Sequence, residues 1–189
     1  MQKYLEWARR ERPIWQAVSI LLVAGGLFVV AVPFVIVSLA GWLDQAWGLP
    51  RLALGPVNAV VGFVLLLAGG FVAFWSVQAE ARLGGGTPVP MIPTRRLVVV
   101  PPYAYCRNPM VLGTVLAYLS IGAFLGSASA VGIVLVLGML LIAYVKLVEE
   151  KELRLRFGPE YEEYLRTTPL LLPRLTLARP PSQPRHPSG

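Results

Sequence analysis

Three long uncharged runs limit what this chain can fold into more than any other feature of its sequence. Residues 13–43, 52–79 and 108–145 contain no charged side chain, over 31, 28 and 38 positions respectively. A helix of about 20 apolar residues crosses the roughly 30 Å hydrocarbon core of a bilayer. Because 56% of the residues are hydrophobic and only 14% are charged, the composition indicates a membrane protein rather than a soluble domain.

The third run is too long for one crossing. As a single helix its 38 residues would extend for about 57 Å, so the run predicts two helices. The stretch LGSASA at residues 125–130 supplies the Gly and Ser residues of a turn between them. The first run exceeds one span and is expected to tilt, to begin in the interface, or to bend near Pro33. We therefore predict an all-α integral membrane protein with four spans, at about 14–42, 54–77, 109–125 and 130–148.

The basic residues give this arrangement an orientation. With four spans, 16 of the 17 Lys and Arg residues lie on one side of the membrane and only Arg51 lies on the other. Basic residues concentrate on the cytoplasmic side of membrane proteins, so both termini are expected to be cytoplasmic, most simply in an inner (cytoplasmic) membrane. The net charge of +7 is thereby explained by topology, and a nucleic-acid partner is not expected.

Metal and thiol chemistry have few candidate residues. The chain has one cysteine, Cys106, and one histidine, His186, which are too few for an intrachain disulfide, a zinc site or a Cys-His catalytic pair. We expect no metal ion.

Polar segments on the expected cytoplasmic side define the domain organisation. A loop at 78–108 joins the second and third spans, and helices at 149–166 follow the fourth span, with Gly158 and Pro159 separating two of them. Residues 1–175 are expected to form one membrane-embedded domain. The proline-rich residues 176–189 are expected to be a flexible tail.

Arg107 is the first candidate site residue. Asn108 and Pro109 suit the N-cap and first position of a helix, which places Arg107 at the membrane surface beside the positive end of that helix. The arginine could be an interfacial anchor or could bind a carboxylate or phosphate. Glu149 and Glu150 end the other helix of the hairpin at the same face, so they could pair with Arg107 or bind the cationic or hydroxyl-bearing part of a shared ligand.

The motifs GGGTPVP, LVVVPPYAYCRNPMVLG and EEKELRLRFGPEYEEYL, with a short two-span hairpin between the last two, resemble the isoprenylcysteine carboxyl methyltransferase family. That family belongs to a wider group of integral-membrane methyltransferases that includes phospholipid N-methyltransferases. The resemblance covers roughly residues 80–173. Val111 stands where the family usually has tyrosine, and no histidine precedes Tyr103. The matching residues are Tyr103, Arg107, Asn108, Pro109, Gly113, Glu149, Glu150, Leu153, Phe157, Gly158, Tyr161 and Tyr164.

The resemblance implies an enzyme that transfers a methyl group from S-adenosylmethionine at the cytoplasmic face. Its lipid or prenyl-bearing acceptor would enter from the bilayer. Arg107 and Glu150 are the catalytic candidates. An amine acceptor would need Glu150 or Glu149 as a proton acceptor, with Tyr103 behind it, whereas a carboxylate acceptor would need none. The candidate residues for binding the cofactor are Tyr103, Arg107, Asn108, Pro109, Gly113, Glu149, Glu150, Phe157 and Tyr161.

Three other functions are alternatives to this one. The first is a phosphatidylethanolamine N-methyltransferase, and the second is a non-catalytic four-helix membrane protein whose Arg and Glu residues only fix topology or bind a partner. The third is a reductase of the sterol-reductase type, for which the chain is short.

Overall fold

The computed structural model describes residues 14–52, 54–84 and 96–173, and this part of the chain consists of helices and turns without a strand. The predicted all-α class is therefore confirmed for it. The N-terminal basic residues, the GGGTPVP motif after its first glycine and the expected tail 176–189 lie outside the described residues. Helix α1 comprises Ile14–Gly26, a π-helical segment Leu27–Ala31 and Val32–Ala46; the others are α2 (Pro56–Gly84), α3 (Pro109–Leu125), α4 (Ala128–Phe157) and α5 (Pro159–Thr167).

Among the described residues, three helices are long and apolar enough to cross a membrane. They are Leu22–Ala46 within α1, all of α2, and α4. Helix α3 is apolar but shorter, with 17 residues. Large apolar side chains are exposed along α1, α2 and α4, as is usual for surfaces that face lipid. The helices thus have the character of an integral membrane protein, while the count of four spans and their orientation stay predictions.

Two helices run further than the sequence indicated. Helix α2 continues past position 77 to Gly84, and α4 passes through Glu149 and Glu150 to Phe157 without a break. The tail helix expected from 149 is thus continuous with the fourth predicted span. The residues after 148 are mostly Glu, Lys, Leu and Arg, which are good helix formers, and nothing interrupts the helix before Gly158, whose φ is +54°.

The helices pack in the spatial order α1, α4, α3, α2. The buried residues between α1 and α4 are Ile36, Ala40, Ala130 and Val134. In α1 the π-helical segment ends two residues before Pro33. Proline lacks the N–H that a regular helix would use at this point, so the wider turn lies next to a break in the hydrogen-bond ladder.

The contact between α2 and α3 depends on small side chains. Gly62, Gly69 and Ser76 are buried at seven-residue intervals along α2, and Gly69 faces buried Gly113 on α3. A β-carbon added to Gly113 would lie 2.6 Å from the backbone nitrogen of Ala73 and 2.7 Å from the carbonyl oxygen of Gly69. The two backbones therefore touch, which is the usual role of small residues between membrane helices.

The turn between α3 and α4 lies at the end of the bundle opposite Arg107. Gly126 has a φ of +59° and Ser127 caps α4, its hydroxyl oxygen accepting from the N–H of Ala130 at 3.0 Å. The same hydroxyl donates to the Asp44 carboxylate at 2.6 Å. The turn within LGSASA thus lies where the sequence predicted it, and it also holds the end of α1.

Candidate active site

Arg107 joins three segments of the chain just before α3. Its Nη1 donates to Oε1 of Glu150 on α4 at 2.7 Å, and its Nε donates to the carbonyl oxygen of Thr168 after α5 at 3.0 Å. The Arg107 and Glu150 side chains are 12% and 13% exposed. The arginine is therefore a buried partner in an ion pair rather than a solvent-facing anchor, and one of the two predicted carboxylates is its partner.

The segment after α5 lies alongside the start of α3. The backbone N–H of Arg107 donates to the carbonyl oxygen of Pro169 at 2.9 Å, and that of Asn108 donates to Leu170 at 3.1 Å. Thr168, which lies between the end of α5 and Pro169, is buried. These backbone hydrogen bonds hold the segment after α5 on the same face as Arg107. They do not depend on side chains, so the sequence could not have indicated them.

Tyr103 connects α2 with α5. Its hydroxyl donates to Oε1 of Glu80 at 2.6 Å, and its backbone carbonyl accepts a hydrogen bond of 2.8 Å from the hydroxyl of Tyr164. Burial raises the pKa of the Tyr103 phenol, and the neighbouring negative charge of Glu80 raises it too. The phenol therefore keeps its proton and acts as a hydrogen-bond donor to the carboxylate.

Glu80 is a site residue that the sequence reasoning missed. It is the first charged residue after the uncharged run 52–79 and lies near the end of α2, on the face that holds Arg107. Its Oε2 atom is buried and has no hydrogen-bond partner within the described part of the chain. Its position in the sequence was the usable signal. A charged residue that ends an apolar run at the same end of the helices as Arg107 and Glu150 is a candidate for the same site.

The carboxylates gather where two helices widen. Glu80 begins the π-helical segment Glu80–Gly84 of α2, and Glu149 ends the π-helical segment Val145–Glu149 of α4. Glu149 is half-buried and lies within electrostatic range of Glu80 and Glu150. Such π-helical turns are often found at functional sites. We call the part of this face formed by Glu80, Glu149, Glu150 and Arg107 the rim; among the described residues it combines three carboxylates with the Arg107 guanidinium.

Two buried tyrosines of α5 complete this face. The ring centroids of Tyr161 and Tyr164 are 6.1 Å apart. Burial raises the pKa of Tyr161 to about 12, Glu150 contributes to the rise, and the adjacent Arg107 opposes it. Phe157 is half-buried at the end of α4, with the Arg156 guanidinium 5.1 Å from the centroid of its ring.

Asn108, Pro109 and Gly113 are predicted site residues whose side chains make no polar contact described above. Asn108 occupies the predicted N-cap position of α3 and Pro109 its first position, although the Asn108 side chain makes no capping hydrogen bond. Its backbone instead bonds to Leu170 and, through its carbonyl, to Leu112. Gly113 lies in the α2–α3 contact, where close packing accounts for a glycine. A role for these three in cofactor binding stays a prediction.

Two metal-resistance proteins are similar to part of this chain. The cobalt-zinc-cadmium resistance protein CzcN of Cupriavidus metallidurans is 35% identical over 83 residues, and the nickel-cobalt-cadmium resistance protein NccN of Alcaligenes xylosoxydans xylosoxydans is 34% identical over 83 residues. The aligned part is 44% of this chain and 38% of each relative. The chain thus spans well under half the length of these relatives. No solved structure matches the chain.

A family profile gives broader coverage. The phospholipid methyltransferase profile matches residues 57–160, which is more than half of the 189 residues. The matched region includes Glu80, Tyr103, Arg107, Glu149 and Glu150, so the rim residues and the helices that carry them lie within it. The chain belongs to the phospholipid methyltransferase family.

Proposed function

We propose that this protein transfers a methyl group from S-adenosylmethionine to a lipid-like acceptor at the rim formed by α2, α4 and α5. Membership of a membrane methyltransferase family supports the reaction class. The observation that carries the proposal is the buried pair of Arg107 and Glu150, which are held 2.7 Å apart at one end of the helices. Buried charges in membrane proteins are costly and commonly mark functional sites.

The chemical groups at the rim suit this cofactor. S-adenosylmethionine carries a carboxylate, an ammonium group and a sulfonium, with a net positive charge. Arg107 would hold the carboxylate, and Glu149 or Glu150 would accept from the ammonium group or the ribose hydroxyls. Phe157 and Tyr161 offer aromatic surface for the adenine. The excess of carboxylates over guanidinium groups at the rim matches a ligand with a net positive charge.

The residues of the chain would act mainly by positioning. The bound cofactor supplies an electrophilic methyl group on a positively charged sulfur. An anionic acceptor attacking it loses charge in the transition state, so a face that excludes water favours the reaction, and alignment of the two reactants supplies much of the rate. The buried Tyr103, Tyr161 and Tyr164 side chains would exclude water. For an amine acceptor, Glu149 or Glu150 would accept the proton released from the nitrogen.

Among acceptors, the charge of the rim favours an amine-bearing lipid headgroup. Among the described residues, Glu80, Glu149 and Glu150 lie together there, and this acidic character disfavours a second anion such as a prenylcysteine carboxylate. Phosphatidylethanolamine has an amine of this kind, and the family is described as phospholipid methyltransferases. The exposed apolar faces of α2 and α4 would leave the rim accessible from the bilayer. By the distribution of basic residues we assign the rim to the cytoplasmic side.

The names of the two relatives refer to resistance to metal ions. Within 14–52, 54–84 and 96–173, no group of three or more His, Cys, Asp or Glu side chains is arranged to hold a metal ion.

Titration calorimetry on detergent-purified protein tests the cofactor site. We expect S-adenosylmethionine to bind the unmodified protein, and Arg107→Ala and Glu150→Ala to weaken binding about tenfold or more, because each removes a charge-assisted contact. Arg154→Ala is the matched control, since Arg154 forms a 3.1 Å ion pair with Glu162 in which both side chains are about half exposed. Absence of binding by the unmodified protein would end the proposal, and equal affinities in all variants would remove the assigned residues.

The acceptor class has its own experiment. Purified protein is incubated with a methyl-labelled cofactor and a total lipid extract, and the label is counted in the lipid and aqueous phases. We expect labelled lipid with a methylated amine headgroup. Label confined to the aqueous phase would contradict a lipid-like acceptor.

A further inference from the structure

The carboxylate of Glu80 has one bonded and one unbonded oxygen. Its Oε1 accepts the Tyr103 hydroxyl hydrogen bond at 2.6 Å. Its Oε2 is inaccessible to solvent and has no partner in the part of the chain that the structure describes. Buried carboxylate oxygens in folded proteins are nearly always hydrogen-bonded. The arrangement is therefore incomplete among the described residues, and a ligand could supply the missing donor.

The surroundings of Glu80 define what that donor would be. An ionised carboxylate only accepts hydrogen bonds, and the nearby Glu149 is a second acidic group rather than a basic side chain. Two nitrogens of Arg107 already donate to Glu150 and to the Thr168 carbonyl. A donor with a positive charge would both satisfy the free oxygen and offset the excess of carboxylates.

We infer that the free oxygen of Glu80 accepts a hydrogen bond from a cationic amine of one of the two reactants, so that Glu80 is a binding residue of the site. The inference rests on the proposed methyl transfer. Two reactants carry this chemistry, namely the methionyl end of the cofactor and an amine-bearing lipid headgroup. Tyr103 is then a positioning residue, because its hydroxyl holds the carboxylate from the opposite side.

Glu80→Gln tests the inference with little change of shape. Glutamine retains an oxygen that can accept the Tyr103 hydroxyl, but it loses the negative charge and offers an N–H donor where the amine would bind. The two probes are S-adenosylhomocysteine, which has the ammonium group, and 5′-methylthioadenosine, which lacks the amino-acid end. Glu163→Gln, an exposed glutamate of α5, is the matched control.

If Glu80 binds the amine of the cofactor, Glu80→Gln weakens S-adenosylhomocysteine binding about tenfold or more and leaves 5′-methylthioadenosine binding unchanged. If it binds the headgroup amine, both affinities stay the same and the KM for phosphatidylethanolamine vesicles rises about tenfold or more. In either case the melting temperature stays that of the unmodified protein, and Glu163→Gln changes neither binding nor KM.

Two results would overturn the inference. One is an equal loss of affinity for both nucleosides together with a lower melting temperature, since that is the effect of a purely structural Glu80–Tyr103 bond. The other is a Glu80→Gln variant that is indistinguishable from the unmodified protein in both affinities and in KM. If the unmodified protein binds neither nucleoside and methylates no lipid, the proposed function fails instead, so the two failures are distinguishable.

Discussion

The hydroxyl of Tyr164 donates a hydrogen bond of 2.8 Å to the backbone carbonyl oxygen of Tyr103. Both residues are buried, and the bond joins α5 to the segment that precedes α3. Because the Tyr103 side chain in turn bonds to Glu80 on α2, a single residue connects two helices that lie far apart in the sequence.

Tyr164→Phe is expected to lower the free energy of unfolding by about 1–3 kcal/mol. The substitution keeps the ring but leaves the buried Tyr103 carbonyl without its donor, and an unsatisfied buried acceptor costs about that much. Chemical denaturation in detergent micelles measures it. Tyr144→Phe, at an exposed position of α4, is the control and is expected to change little. Equal stability of the two variants would contradict the bond.

A double-mutant cycle of Arg107→Ala and Glu150→Ala is expected to show strong coupling. Removing one member of a largely buried ion pair costs about 3–5 kcal/mol because the other charge is left uncompensated. The exposed pair of Arg154 and Glu162 should couple by about 0–1 kcal/mol. The free energy of unfolding of the unmodified protein, the two single variants and the double variant in each cycle is measured from denaturation curves. Comparable coupling in both cycles would argue against burial of the first pair.

Gly113→Ala is expected to destabilise the protein by about 1–3 kcal/mol, as overpacking of a tight contact does. Its new β-carbon would lie 2.6 Å from the Ala73 nitrogen, so one of the two backbones has to move. Gly70→Ala is the matched control, since a β-carbon there meets nothing within 4 Å. Thermal unfolding followed by circular dichroism distinguishes them. A stable Gly113→Ala variant would show that α2 and α3 do not touch at this point.

Stability is expected to fall as the pH rises from about 10 to about 12. An ordinary tyrosine has a pKa near 10, whereas the folded protein raises the pKa of Tyr161 to about 12 and also raises that of Tyr164, in both cases mainly by burial. In this window the unfolded chain releases phenolic protons that the folded chain retains, so unfolding becomes more favourable. Melting temperatures across the window measure it, and Tyr161→Phe should reduce the slope. A flat profile would contradict the burial.

The sequence was sufficient where a single local rule decides the structure. The bounds of α3 follow from Pro109 at one end and from Gly126 at the other. The Arg107–Glu150 pair follows from hairpin geometry, because antiparallel neighbours bring the ends of their helices to the same face. The break at Gly158 and Pro159 likewise has a local cause.

The features that the sequence could not indicate depend on contacts between distant segments. The charges after position 148 end the apolar part of α4 and not the helix itself, because Glu, Lys and Arg are good helix formers. The hydrogen bond between Tyr103 and Glu80 joins residues 23 positions apart, which the sequence alone does not bring together. The bonds from Arg107 and Asn108 to Pro169 and Leu170 use backbone groups, which carry no residue-specific signal.

The glycine contact between α2 and α3 has a consequence for the rim itself. Arg107 lies just before α3, and Glu80 lies near the C-terminal end of α2. The point at which the two helices cross therefore determines the distance between the Arg107 guanidinium and the Glu80 carboxylate. A bulkier residue at Gly69 or Gly113 would push the helices apart and widen that separation. Adapting this protein to a reactant of a different size would therefore require changes in the contact between α2 and α3 as well as at the rim.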